Sequence, residues 1–246
     1  MSALVTAIFW LLFAATSPLA CVLGVLLWVV TTPFDPDRRI LHGFLCRWSF
    51  QYLRWNPAWD VRVLHRERLP RGPAVLVANH QSMADIVVVM GLYHPFKFVS
   101  KASLFRLPLV GWLMKLAKYV RVERGKAHSM AKMMDDCRGW LARGMPVLIF
   151  PEGTYSPDGK LLPFKRGAAA LAIGAQVPLV PVLIEGTRSL VVEDGPWMSP
   201  RCRVRLTVLE PIPVAELGSE DAALTERVRR LFEAELAPQS GVIPSR

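Results

Sequence analysis

Hydrophobic and polar positions divide the chain into two unequal parts. Residues 1–34 contain no Asp, Glu, Lys or Arg, and the first charge is Asp35. Within this leader the apolar run 3–31 is broken only by Thr6, Thr16, Ser17 and Pro18. A helix over that run, at ~1.5 Å rise per residue, is longer than a hydrocarbon core of ~30 Å. Pro18 removes a backbone donor near the middle. The leader therefore reads as one kinked, tilted membrane helix or as two short helices that enter and leave the same leaflet, the alternative being a helical pair buried in a soluble domain. A cleaved signal peptide fits poorly, because no basic residue precedes the run and the run is too long.

From residue 35 onward the pattern alternates. Short apolar or β-branched runs at 61–64, 74–78, 96–100, 147–150, 179–184 and 204–209 read as strands, with helical patterns at 85–92, 103–118, 128–143 and 166–176 between them. That alternation predicts an α/β domain: a mixed, largely parallel sheet flanked by helices. The helix at 103–118 is apolar almost all round, which predicts buried core in preference to a membrane-dipping role. A closing amphipathic helix starts with Ser219 as N-cap, Glu220 and Asp221 in its first turn, and Leu224, Val228, Leu231 and Phe232 on one face. The chain thus divides into an apolar membrane anchor at 1–34, one α/β domain at 35–237 and a loose tail at 238–246.

Composition narrows the class. With 52% apolar and 20% charged residues, a disordered or collagen-like chain is excluded. The net charge of +10 falls entirely on the residues after the leader, and admits nucleic acid, anionic lipid or phosphorylated ligands as partners. No helix-turn-helix, zinc-finger or RNA-binding signature accompanies it, so nucleic acid is set aside. Arg38, Arg39, Arg47 and Arg54 follow the leader and place the body on the cytoplasmic side of the cell inner membrane. Cys21, Cys46, Cys137 and Cys202 are scattered, which indicates neither a zinc site nor a disulfide framework.

Candidate chemistry collects at strand ends. The strand 74–78 runs into Asn79-His80-Gln81-Ser82-Met83-Ala84-Asp85. On a continuous helix His80 and Asp85 would lie on different faces. They meet only if His80 sits on the turn and Asp85 in the first helical turn, where Asp85 can fix the imidazole tautomer and leave the other nitrogen as general base. A helix-capping histidine is the plainer reading of the pair alone. A second turn, Pro151-Glu152-Gly153-Thr154-Tyr155, follows the strand 147–150. Glu152 can accept from a substrate hydroxyl, and Gly153 and Thr154 offer donors to an oxyanion or phosphate. Lys101, Arg124, Lys165 and Arg166 stand near strand ends or a helix start, as a phosphate-bearing ligand requires.

Taken together, Asn79-His80 with Asp85, Val122-Glu123-Arg124, Phe150-Pro151-Glu152-Gly153-Thr154 and Val177-Pro178-Leu179-Val180-Pro181-Val182 match four motifs in order and spacing. The chain resembles the PlsC-type glycerolipid acyltransferase family of 1-acyl-sn-glycerol-3-phosphate acyltransferases, over residues 1–215 with the leader included. The resemblance implies transfer of a fatty acyl group to the free hydroxyl of a lysophospholipid, lysophosphatidic acid becoming phosphatidic acid. It implies His80 as base and Asp85 as its orienter. The implied donor is acyl-CoA or acyl carrier protein, with no covalent enzyme intermediate and no metal or redox cofactor. Lys101, Arg124 and Lys165 would hold the acceptor phosphate; Asn79, Glu152, Gly153 and Thr154 would position the acceptor. The implied partners are the lipid bilayer, the lysophospholipid and the donor.

One position departs. The family's third motif continues with Arg where this chain has Tyr155. A literal Glu185-Gly186-Thr187-Arg188-Ser189 stands after the fourth motif and reads as a decoy by position. A phenol does not replace a bidentate cation. Either Arg188 or Lys165 takes over, or the acceptor is another lyso-lipid such as a lyso-ornithine lipid. A serine lipid hydrolase is disfavoured by the lack of a Gly-x-Ser-x-Gly elbow. A non-catalytic, membrane-binding basic domain would tolerate loss of His80.

Overall fold

The computed structural model describes residues 2–156, 159–192, 195–216 and 218–237; the tail 238–246 lies outside the described residues. The leader forms one helix, α1 (Ser2–Thr31), which runs unbroken through Pro18. Just before the proline, the hydroxyls of Thr16 and Ser17 donate to the carbonyls of Leu12 and Phe13, so the polar residues of the run are satisfied inside the helix.

The surface of α1 is inverted relative to a soluble helix. Its buried positions are small or polar, namely Thr6, Ser17, Ala20, Cys21, Gly24 and Thr31. Large apolar side chains such as Leu4, Leu19, Leu26 and Val30 point outward, with Leu11 68% exposed. Small residues let α1 lie close to the body: a Cβ on Gly24 would come within 2.6 Å of Leu113. Among the described residues α1 is the one helix long and apolar enough to cross a membrane.

The break comes after Thr31, not at Pro18. Residues 32–38 turn the chain into α2 (Arg39–Gln51), whose first two N–H groups donate to the Asp35 carboxylate. Arg38, with φ of 61°, folds its guanidinium onto Thr32 Oγ1 and the Asp35 carbonyl and over the Trp28 ring. It is buried here and does not join the basic flank expected to follow the leader. The two-helix motif of this chain is therefore α1 with α2, rather than two halves of the leader.

The body contains β1 (Trp59–Leu64), β2 (Val75–Ala78), α3 (Asp85–Val89), β3 (Lys97–Lys101), α4 (Val110–Leu116), β4 (Val120–Val122), α5 (Ala127–Ala142) and β5 (Val147–Ile149). It continues with α6 (Gly167–Ala175), β6 (Leu179–Glu185), the short pair β7 (Val191–Val192) and β8 (Trp197–Met198), β9 (Cys202–Val208) and α7 (Asp221–Leu236). Seven strands form one sheet in the order β1-β9-β6-β2-β5-β3-β4. Every neighbouring pair is parallel except β6 with β9. This is the mixed, largely parallel sheet that the alternation of patterns predicts.

Side-chain alternation along the strands sends two cores to opposite faces. Leu76, Leu148, Val182 and Leu206 pack with Leu41, Phe50 and Val88 beneath α1 to α4. Val75, Val77, Val147 and Leu179 pack with Leu141, Leu171, Val228 and Phe232 beneath α5 to α7. β2 is buried on both faces, which is why its sequence is a continuous apolar run.

Three local readings differ. The expected helix 103–118 is a 3₁₀ turn at Leu104–Arg106 followed by α4, because Pro108 lacks an N–H and holds Leu107 extended. One side of it is open, with Trp112 52% exposed, so it is not wholly core. α7 begins at Asp221 behind Glu220, and no side chain caps it; Ser219 is not the N-cap.

A buried lysine pins the α1–α2 turn to the sheet. Lys97, the first residue of β3, donates to the carbonyls of Asp37 and Ala117 at 2.6 and 2.7 Å and lies over the Trp140 ring. Arg143 pairs with Asp37 from α5's C-terminal side, and Lys118 reaches the Pro36 carbonyl. Burial pulls the Lys97 pKa down to about 7, against the opposing pull of the Asp37 carboxylate.

Candidate active site

The site forms where β2 ends. Asn79 spends both ends of its amide on β6: Nδ2 donates to the Ile184 carbonyl at 2.8 Å and Oδ1 accepts the Ile184 N–H at 2.7 Å. This clamps two strands together and fixes the start of the following turn. The side chain expected to contact substrate is thus bonded at both ends to the backbone of β6.

His80 is held from every side. Its N–H donates to Glu152 Oε1 at 2.7 Å and its carbonyl accepts the Ser156 N–H at 3.0 Å. The ring stacks on Phe150 with centroids 4.3 Å apart and meets the edge of Tyr155 at 5.9 Å. Nδ1 lies 2.7 Å from Asp85 Oδ2. Asp85 is the first residue of α3 and fully buried, and the same Oδ2 accepts the N–H groups of Gln81 and Ser82.

The carboxylate thus closes the turn that brings it back to His80, which is how a five-residue separation is bridged. A carboxylate only accepts, so Nδ1 carries the proton and Nε2 keeps its lone pair. Nε2 has no hydrogen-bond partner among the described residues.

Glu152 has a different place from the one its sequence suggests. Both its oxygens are taken by backbone, Oε1 by His80 and Oε2 by Leu162 at 2.9 Å. Burial raises its pKa, and those two N–H donors partly oppose the rise. It therefore positions His80 and the chain around Leu162. Gly153 has φ of 75°, and a Cβ there would lie 2.5 Å from Lys165 Nζ, so the Lys165 ammonium rests directly on this turn. Thr154 beside it is exposed.

Lys101 ends β3 opposite Val122 in β4, and Arg124 stands two residues beyond β4. Because β2, β5, β3 and β4 are parallel, His80, Glu152 to Thr154, Lys101 and Arg124 all fall at one edge of the sheet. Glu123 is paired with Arg121 and Lys126, whereas Arg124 makes no ion pair among the described residues.

The segment Glu185 to Ser189 is not remote from this edge. Thr187 reaches Gln81 Oε1 at 3.4 Å, Ser82 Oγ lies 3.4 Å from the Thr187 carbonyl, and Arg188 Nη1 lies 3.4 Å from the Ser156 carbonyl. Position in the chain made it look like a decoy. The pairing of β6 with β2 carries it to the far side of His80, where Arg188 flanks the turn that holds Tyr155.

The model of the family described as Acyltransferase matches residues 60–185. The chain belongs to the acyltransferase family. The matched segment takes in His80, Asp85, Lys101, Arg124, Glu152 and Lys165 and stops short of Arg188. A 1-acyl-sn-glycerol-3-phosphate acyltransferase of Chlamydomonas reinhardtii is 41% identical over 84% of this chain, and one of Pseudomonas aeruginosa is 32% identical over 74% of it. The chain spans 61% of the length of the algal protein and 71% of the bacterial one. It spans about half, 51%, of a chloroplast relative from Arabidopsis thaliana. The crystal structure of the 1-acyl-sn-glycerophosphate acyltransferase PlsC from Thermotoga maritima superposes with a TM-score of 0.74 at 25% identity, covering 98% of each chain.

Within the site, the roles of Asn79 and Glu152 as backbone clamps carried no signal in the sequence. Both depend on a partner more than seventy residues away. Phe150 under the imidazole was legible as the end of an apolar strand, though not as a stacking partner.

Proposed function

We propose that the protein transfers a fatty acyl group from a thioester, acyl-CoA or acyl carrier protein, to the free hydroxyl of a lysophospholipid, with 1-acylglycerol 3-phosphate as the acceptor. The observation that carries the reading is the His80–Asp85 pair, with Nδ1 committed to a buried carboxylate and Nε2 left without a partner among the described residues.

In this reading Nε2 takes the proton of the acceptor hydroxyl as its oxygen attacks the thioester carbonyl. The tetrahedral intermediate expels the thiolate, which recovers the proton from the imidazolium. Asp85 steadies the imidazolium while it exists. The thioester already presents an activated carbonyl, so one base and good placement suffice, and the chemistry calls for no metal or redox group. Lys101, Arg124 and Lys165 at the same sheet edge supply cations for the acceptor phosphate, and Gly153 and Thr154 line the way between them and His80.

The outward apolar surface of α1 supports attachment to the bilayer. Arg39, Arg47 and Arg54 beside it support an inner-membrane location with the catalytic domain in the cytoplasm. Membrane attachment suits an acceptor whose acyl chain stays in one leaflet while its glycerol hydroxyl reaches His80.

Tyr155 favours keeping a second acceptor in view. Its ring lies against His80, and it brings no charge where the family motif has Arg. A lyso-ornithine lipid or another lysophospholipid would use the same base and donor. A donor-by-acceptor matrix with purified protein tests both. Turnover with 1-acylglycerol 3-phosphate supports the first acceptor, and turnover only with a phosphate-free lyso-lipid would replace it.

A further inference from the structure

One end of the sheet is uncovered on the face away from α1. In β1 and β9, Val61, Val63, Val204 and Leu206 face the core beneath α1 to α4. Their alternate neighbours Asp60, Arg62, Arg203 and Arg205 must therefore face the opposite side. The parallel register sets Asp60 beside Arg203 and Arg62 beside Arg205, and Glu185 of β6 lies beside Arg205. Arg62 and Arg203 side chains are 64% and 73% exposed.

Asp60 is the shared partner of two of these arginines, at 2.8 Å from Arg62 and 3.8 Å from Arg203. Arg205 makes no ion pair among the described residues. The face remains net positive. Charge protects an edge strand from aggregation, and β1 is such an edge, but either sign would serve for that. Three arginines grouped on one face instead match an anionic partner.

Two observations select that partner. First, the face looks away from the outward apolar side of α1, so a bilayer that holds α1 is not what it meets. Second, it adjoins the catalytic edge: Ala78, just before His80, lies in β2, with β6 and then β9 beside it, so β9 is about 10 Å away at two strand spacings.

Building on the proposed transfer reaction, we infer that Arg62, Arg203 and Arg205 form the docking face for a soluble acidic carrier protein that delivers the acyl thioester on a flexible arm. The arm crosses the C-terminal edge of the sheet to His80 while the carrier stays on the arginines. Free acyl-CoA carries phosphates of its own but no carrier surface; with the arginines assigned to the carrier, acyl-CoA kinetics are expected not to depend on them. Charge complementarity acts mainly on encounter and on salt dependence, so the effect belongs to the donor's KM and not to the chemical step.

The test uses the full-length protein in phosphatidylcholine vesicles with 1-acylglycerol 3-phosphate, comparing wild type with the R62E/R205E double variant. Each is assayed with acyl-CoA and with the same acyl group on a small acidic carrier protein, and binding of the unacylated carrier is measured separately. The expected result is a KM for the carrier-linked donor raised at least tenfold, weaker salt dependence and weaker carrier binding, with acyl-CoA kinetics unchanged.

Equal kinetics for both donors in the two proteins would overturn the docking face while leaving the transfer reaction standing. So would wild-type turnover of acyl-CoA alone, a parallel loss with both donors accompanied by a lower melting temperature, or loss of binding to anionic vesicles with carrier binding intact. Failure of the wild type with both donors on every lyso-lipid would remove the transfer reading, and the carrier-binding comparison would then judge the face by itself.

Discussion

Replacing Asp85 by Asn separates charge from geometry at the dyad. Asp85 Oδ2 accepts three N–H groups, from His80, Gln81 and Ser82, while Oδ1 is buried with no hydrogen-bond partner among the described residues. An Asn side chain can place its oxygen at the Oδ2 position and accept the same three, putting its NH₂ group where Oδ1 now stands. The turn and the imidazole tautomer are kept, and the negative charge is lost.

Two unit charges ~4 Å apart interact by about 4 kcal/mol at an effective dielectric of ~20, which bounds the effect from above. A hydrogen bond to a charged group contributes about 1.5–3 kcal/mol against about 1 for a neutral one, so the imidazolium-like transition state loses roughly 0.5–2 kcal/mol. At 1.36 kcal/mol per decade that is about a 2- to 30-fold fall in kcat. The buried NH₂ costs about 1–3 kcal/mol of stability, a fall of roughly 2–12 °C in Tm.

Asp85→Ala, by contrast, strands three donors and should cost both rate and fold. Initial rates of acyl transfer and thermal melts on the two variants are the assay. An Asp85→Asn enzyme with wild-type kcat would refute the role given to the carboxylate, and one that melts as low as Asp85→Ala would refute the geometry.

Arg124→Ala should raise the KM for a phosphate-bearing acceptor by about tenfold or more with kcat little changed, as expected for a charge-assisted contact; an unaltered KM measured across acceptor concentrations takes Arg124 out of the phosphate site. Lys97 has a depressed pKa of about 7 when folded and an ordinary one near 10.5 when unfolded, so the unfolded chain binds the extra proton between these values. Its contribution to stability is therefore complete above the unfolded value and is lost as pH falls from about 10.5 to about 7; urea melts over that window should show a rise with pH that Lys97→Met flattens, and parallel curves would dismiss it. Gly91→Ala sets a Cβ within 2.3 to 2.9 Å of three ring atoms of the buried Phe50 and should cost about 1–3 kcal/mol, whereas Gly72→Ala meets nothing within 4 Å and should be silent in the same thermal melt.

The sequence made the sheet legible because its strands are runs of branched and apolar residues with polar turns between them, and burial on both faces demands that composition. The turn from His80 to Asp85 was legible for the same reason, since only one placement of the two residues lets them meet. What stayed hidden depends on partners distant along the chain. Asn79 and Glu152 read as ligand contacts until Ile184, His80 and Leu162 were seen to occupy them. The segment Glu185 to Ser189 read as a decoy by position, with Arg188 one of two candidates to replace the family's Arg, because its approach to Tyr155's turn depends on β6 pairing with β2 across about a hundred residues. The leader misled in the other direction: Pro18 looked like a break, yet the helix runs through it, and the true turn is built by Asp35 and held by Lys97.

The account rests on His80 acting as the base from a membrane-attached body. The most direct test is acyl transfer by wild type and His80→Ala, at equal amounts bound to the same vesicles, from a labelled acyl thioester to 1-acylglycerol 3-phosphate. The account predicts product from the wild type and a loss of at least a hundredfold in the variant, with vesicle binding and melting temperature retained. Product formation by the bound, folded variant at a rate near that of wild type would contradict it.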